Sequence, residues 1–111
     1  MRIIARVLEQ EGWHLAEAGL PIQLGVRSGA ALSARKHLHK TLAEYFLLLA
    51  GELKLQVNEA TLEMKKGDLV VVEPGETHRV LSATPDTRLL LLMPPPVEND
   101  KEELEQPEGP K

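Results

Sequence analysis

Four side chains in this 111-residue chain have the types and spacing to hold a transition metal: His37, His39, Glu44 and His78. Residues two apart on a β-strand project from the same face, so an extended His37-Leu38-His39 presents both imidazoles together and turns Leu38 away. Glu44 follows His39 by five residues, room for a short turn and the first residue of a new strand. That strand, Glu44-Tyr45-Phe46-Leu47-Leu48-Leu49-Ala50, is aromatic and aliphatic and ends at Gly51-Glu52. About thirty residues downstream, the run from Gly67 through Leu69-Val70-Val71-Val72 and Pro74-Gly75 to His78 reads as strand, turn and the opening of another strand. Two segments that each deliver ligand types at a strand start look like two halves of one site.

A lone histidine on a strand is usually just a half-exposed polar residue. Three of them and a carboxylate, buried without a partner, would cost several kcal/mol of unmet polar demand. One divalent transition metal ion removes that cost, because neutral imidazole nitrogens and a carboxylate oxygen coordinate it directly. Three nitrogens and one oxygen, with positions left open, suit Fe, Mn, Ni, Cu or Zn. Open positions are what Lewis-acid or oxygen chemistry requires. His14 lies outside this spacing and reads as a surface or edge residue.

The same residues resemble the cupin superfamily. Its first motif is Gly-x5-His-x-His-x3-4-Glu-x6-Gly, matched here by His37, His39, Glu44 and Gly51, with Ala31 in place of the leading glycine. Its second is Gly-x5-Pro-x-Gly-x2-His-x3-Asn, matched by Gly67, Gly75 and His78. Glu73 stands at the proline position, Pro74 falls one place later, and Ser82 replaces the asparagine. The resemblance implies an all-β, cupin-type antiparallel β-jelly-roll barrel in a single domain, with the four ligand positions intact. It implies little about reaction, because the superfamily includes dioxygenases, isomerases, decarboxylases, sensors and inert binders.

The elements that must position these groups follow from the rest of the chain. Residues 1–93 carry nearly all the apolar side chains and balance eleven acidic against eleven basic residues. Six acidic residues against Lys101 and Lys111 in 94–111 supply the net charge of −4. That acidic, Pro-rich tail is expected to be disordered or loosely packed. A neutral body with no basic block gives no footprint for nucleic acid. No run approaches a membrane span. The absence of cysteine excludes disulfides and thiolate ligands, and with no visible leader the expectation is a cytoplasmic protein.

Arg2–Leu8 is a candidate first strand, and Trp13-His14-Leu15 a short strand or edge. Pro21–Arg27 alternates, with Ile22, Leu24 and Val26 on one face and Gln23, Gly25 and Arg27 on the other, the pattern of a half-buried strand. Asn58-Glu59 turns a hairpin, and Leu69–Val72, His78–Ser82 and Arg88–Met93 are further strands. Tyr45–Ala50, Leu69–Val72 and Leu89–Met93 are apolar on both faces and need cover outside the barrel. A homodimer through Leu47, Leu49 and Leu90 or Leu92 supplies it, and an N-terminal strand folded over the monomer is the alternative.

Strand parity places Phe46, Leu48, Val80 and Ser82 on the cavity wall. That wall is apolar, which points to a small, partly apolar ligand rather than a sugar phosphate. Arg27, Arg35 and Arg79 are near in sequence, and Arg79 is out of phase with His78. Two functions are consistent with these residues. One is a metalloenzyme acting on a small organic substrate, dioxygenase- or isomerase-like. The other is a non-catalytic sensor or storage module for a metal or small ligand.

Overall fold

The computed structural model describes residues 1, 3–14, 21–29 and 35–104. Arg2, Leu15, Ala30, Ala31 and residues 105–111, on which some of the expectations above fall, lie outside the described residues. Among the described residues ten strands form two five-stranded sheets in which neighbouring strands pair antiparallel. The strands are β1 Gly12–His14, β2 Gln23–Ser28, β3 His37–His39, β4 Glu44–Ala50, β5 Leu53–Val57, β6 Ala60–Met64, β7 Leu69–Val72, β8 His78–Ala83, β9 Arg88–Met93 and β10 Lys101–Glu103. One sheet runs β1-β2-β9-β4-β7 and the other β10-β3-β8-β5-β6. From β3 onward the chain crosses between sheets at almost every connection, which lays them face to face as a jelly roll.

The core follows from alternation. Phe46, Leu48, Val72, Leu89 and Leu91 from the first sheet meet Leu53, Leu55, Met64 and Val80 from the second. Lys54, between two buried leucines, points to solvent. Asn58 turns the β5–β6 hairpin with φ 52°, a left-handed conformation that asparagine tolerates. Gly51 closes β4 with φ 78°, and a Cβ there would sit 2.6 Å from the Thr87 Cα. No other residue fits that corner.

The expected strand at Arg2–Leu8 is not formed in the described part. Arg6 adopts φ 52° and starts a single 3-10 turn at Val7–Glu9, with Ile3 and Ile4 exposed. A strand needs an edge to pair with, and the free edge of β2 is taken by β1. The turn lies against β2, where the Arg88 guanidinium donates to the Leu8 carbonyl.

The alternation in β2 is inverted relative to a simple half-buried strand. Its polar members Gln23 and Arg27 face the space between the sheets, while Leu24 and Val26 stand opposite Leu92 and Leu90 on the outer face. The three doubly apolar strands β9, β4 and β7 lie side by side with β2 in this sheet. Its outer face therefore carries a continuous apolar surface: half-buried Leu47, Leu90 and Leu92 run out to Leu69, 54% exposed, and Tyr45 and Val71, each 38% exposed.

The chain beyond residue 93 departs from the loose tail expected of it, as far as Leu104. β10 pairs with β3, placing Lys101 opposite His39 and Glu103 opposite His37. Leu104 N–H donates to the Lys36 carbonyl and Lys40 N–H to the Asp100 carbonyl. Backbone pairing to an open sheet edge needs no apolar side chains, so a charged segment can be ordered there.

Candidate metal centre

The site is assembled from both sheets. β3 and β8 bring His37, His39 and His78 from one, with His37 directly opposite His78, and Glu44 begins β4 in the other. One potential ligand atom from each of the four lies within 4.8 Å of all the others. Opposite donors on a single ion are about 4.2 Å apart when each bond is ~2.1 Å. The group is therefore close to ligating size. His78 and Glu44 are nearly inaccessible, and His37 and His39 are half-buried.

Each imidazole is oriented from behind by an oxygen. His37 Nδ1–H donates to the Arg35 carbonyl at 3.1 Å, and His78 Nδ1–H to the Glu76 carbonyl at 3.3 Å. His39 Nδ1–H donates to Asp100 Oδ2 at 2.8 Å. Carbonyls and carboxylates accept only, so the proton belongs on Nδ1 in all three rings. Every Nε2 lone pair is then free for ligation. Two of them face the same carboxylate oxygen: His78 Nε2 is 3.0 Å and His39 Nε2 3.3 Å from Glu44 Oε1. Lone pair opposes lone pair there unless a proton or a cation lies between. A proton relieves one such contact, whereas a divalent ion relieves all of them. By donor chemistry and geometry, these residues fit the metal that the donor set implies.

The electrostatics agree. Burial pushes His37 down to about 4, helped by the neighbouring His78, so it is neutral at physiological pH. Burial also lowers His39, but hydrogen bonds and charge from Glu44 and Asp100 outweigh it and raise the net value. Burial would raise Glu44, yet a proton held between it and His39 or His78, where a cation would stand, brings it down to about 2. Glu44 is thus an anion at any working pH.

Asp100 belongs to this centre and was not identified in the sequence. It is 6% exposed, and its Oδ1 accepts from Thr41 N–H at 2.7 Å, Thr41 Oγ1 at 2.8 Å and Leu42 N–H at 3.2 Å. The other oxygen holds His39. These bonds overcome the effect of burial and lower the Asp100 carboxyl. Asn99, at φ 57°, makes the turn that aims it. The only local signal was Asn99-Asp100 itself, a turn-forming pair in a segment too polar to read as a strand.

A cavity of about 340 Å³ opens over the metal group. Phe46 and Val80 line it, and the Phe46 ring lies edge-on to His78 at 5.8 Å between centroids. Leu48 does not line it; it is fully buried in the core. Ser82 is also absent from the wall, because Leu55 pairs with Val80 while Lys54 pairs with Ser82. The extra residue, Leu81, makes a bulge that reverses parity and turns Ser82 to solvent beside Lys54. Unforeseen contributors are Trp13, Gln23 and Arg27 from β1 and β2 and Pro96, Val97 and Lys101 from the C-terminal segment. His14 is remote from the group, its Nε2 2.6 Å from the Gln10 carbonyl.

Fold and centre together define a two-sheet jelly roll with a three-histidine, one-glutamate group between its sheets. A family model described as a cupin domain matches residues 26–94, well over half of the sequence. The chain belongs to the cupin superfamily. Among solved structures, a protein from Planctomyces limnophilus is 16% identical with a TM-score of 0.69, over 91% of this chain and 95% of that one. A cupin protein from Bacteroides fragilis is 17% identical with a TM-score of 0.61, over 100% and 89%. A variant of Streptomyces PAC13 with uridine is 13% identical with a TM-score of 0.64, over 89% and 88%. Pac13 is described as a nucleoside dehydratase. No curated protein matches the sequence. Among the described residues, no helix is long and apolar enough to cross a membrane.

Proposed function

We propose that this cupin holds one divalent transition metal ion (Fe, Mn, Ni, Cu or Zn) on His37, His39, Glu44 and His78 and is a metalloenzyme acting on a small organic substrate. The observation that carries this is the gathering of three histidines and Glu44 with ligand atoms within 4.8 Å of one another, two of the Nε2 lone pairs facing one anionic oxygen, an arrangement that a divalent cation satisfies. When bound, the ion supplies Lewis acidity and, for iron, manganese, nickel or copper, redox chemistry. The protein's own part is positioning and water exclusion. Phe46, Val80, Leu91 and Met93 give the cavity an apolar wall, and Glu44 offsets part of the ion's charge.

A second reading, a non-catalytic binder of a metal or small ligand, is favoured by one feature. Both carboxylates bordering the cavity are committed, Glu44 to the histidines and Asp100 to Thr41, Leu42 and His39. Elemental analysis of protein from its native source, followed by oxygen uptake with phenolic, thiol and diketone substrates, separates the two. A redox-active ion with substrate-dependent uptake supports the enzyme; redox-inert metal and no uptake supports the binder. Bound metal is expected to fall on dialysis from neutral to mildly acidic pH, as the ligating nitrogens protonate. Unchanged content would argue against histidine ligation.

We also propose a homodimer through the outer face of the β1-β2-β9-β4-β7 sheet. Its support is the unbroken apolar surface from Leu90 and Leu92 to Tyr45, Leu69 and Val71, while the N-terminal turn lies against β2 and accepts from Arg88 of β9. Sedimentation is expected to give twice the chain mass. The double variant Tyr45→Lys, Val71→Lys should sediment as a monomer with its metal affinity intact. A monomeric wild-type protein would refute the dimer.

A further inference from the structure

β2 turns its polar face into the cavity, and this has no structural return in a barrel whose core is otherwise aliphatic. Gln23 is partly accounted for, since its amide donates to the Pro94 carbonyl at 3.0 Å. Arg27 is not. Its guanidinium lies 5.9 Å over the Trp13 ring, and among the described residues no carboxylate stands within ion-pair reach of it. Glu11, just before β1, is instead turned to the Ser28 N–H at 3.2 Å. The Trp13 ring is itself seated deliberately. It packs on Gly25, where a Cβ would come 3.1 Å from two ring carbons and push the ring outward by a few tenths of an ångström. Trp13 remains 39% exposed and borders the same cavity as the metal group.

We infer that Trp13 and Arg27 form a carboxylate subsite, and that the ligand of this cavity is a small planar organic monocarboxylate. A guanidinium presents two parallel N–H donors that match one carboxylate, and the indole bordering the same cavity offers apolar surface for the rest of the molecule. The charge balance points the same way. Glu44 and Asp100 are engaged by His39, His78, Thr41 and Leu42, which leaves Arg27 uncompensated and Lys101 at the rim, 3.8 Å from Glu103. Arg79 also borders the cavity, but its Nε donates to Gln56 at 3.0 Å and it is not needed here. With Arg79 bonded to Gln56 and Lys101 beside Glu103, Arg27 as the principal donor in about 340 Å³ suits a monoanion better than a phosphate, which draws on several donors. The subsite rests on the proposed metal-dependent function only in sharing its cavity.

Trp13 is the only tryptophan, so its emission reports on the subsite directly. Benzoate, neutral benzamide and inorganic phosphate would be titrated into zinc-loaded and metal-free protein. Benzoate is expected to change the emission saturably in both forms, and benzamide and phosphate to have little effect. Arg27→Met should weaken benzoate by about tenfold or more, and Arg27→Lys by less, with zinc affinity and melting temperature unchanged. Failure of the wild type to bind benzoate, or equal binding by Arg27→Met, overturns the subsite. So does benzoate binding that requires zinc and ignores Arg27, since the carboxylate would then sit on the ion. Loss of zinc binding by the wild type, with benzoate binding retained, would instead refute the metal centre and leave the subsite standing.

Discussion

Glu44→Gln is expected to weaken zinc binding by roughly a hundredfold or more while leaving the fold intact. The substitution keeps the volume of a side chain that is 4% exposed, so it opens no cavity in the core. It removes the single negative charge on which His39 and His78 converge, and replaces an anionic ligand with a poor neutral one. Metal-free stability should fall as well, by about 2 kcal/mol at neutral pH, the scale of hydrogen bonds to a charged group. The pH dependence has a definite sign. Glu44 is lowered from 4.5 to about 2 in the folded protein, so its contribution is fully present above pH 4.5 and is lost as pH falls towards 2. The stability gap between wild type and Glu44→Gln should therefore narrow as pH falls from 4.5 towards 2, and narrow again as pH rises through the raised His39 value, because Glu44 is one cause of that rise. A chelator-competition titration and denaturant unfolding at several pH values measure both effects. Zinc affinity within a few-fold of wild type would remove Glu44 from the ligand set.

The second large effect belongs to Asp100. Asp100→Asn should reduce zinc affinity by about 10- to 100-fold, although its carboxylate touches no ion. All its observed partners are donors: Thr41 N–H, Thr41 Oγ1, Leu42 N–H and His39 Nδ1–H. An asparagine must turn its NH2 towards one side or the other. Facing His39, it drives the imidazole proton to Nε2 and disables the ligand; facing the Thr41 and Leu42 amides, it sets donor against donor. The first outcome costs His39 its ligating tautomer; the second keeps the acceptor on His39 but loosens the hold of Thr41 and Leu42 on the segment that carries it. Imidazole nitrogen chemical shifts report the tautomer independently of any activity, and a purely structural role for Asp100 would not move them. Unchanged shifts with unchanged zinc affinity would show that Asp100 does not position His39.

His37, His39, Glu44 and His78 were legible because ligand chemistry constrains local spacing. Two histidines share a face only at a spacing of two, and a turn of fixed length must return the chain to Glu44. The core of β4, β5 and β9 was legible for a similar reason, since alternating or continuous apolar runs have few other places to go. Ser82 was misplaced because parity propagates only through an unbroken ladder, and the bulge at Leu81 resets it. Arg27 reads in isolation as a solvent-facing residue. Only the outer face shared by β2, β9, β4 and β7 reveals that the apolar side of β2 looks outward and its polar side inward.

Asp100 marks the limit most sharply. Its bond to His39 spans 61 residues, and its strand neighbours Lys101–Glu103 carry no apolar pattern because they pair along an open edge through backbone and the Arg35–Glu103 ion pair. The amino-acid sequence by itself determined which groups can bind a metal and which runs must be strands, because both depend on residue type and short spacing. Tertiary structure decided which face of each strand looks inward and which distant carboxylate orients the histidine, because those depend on how the sheets pair.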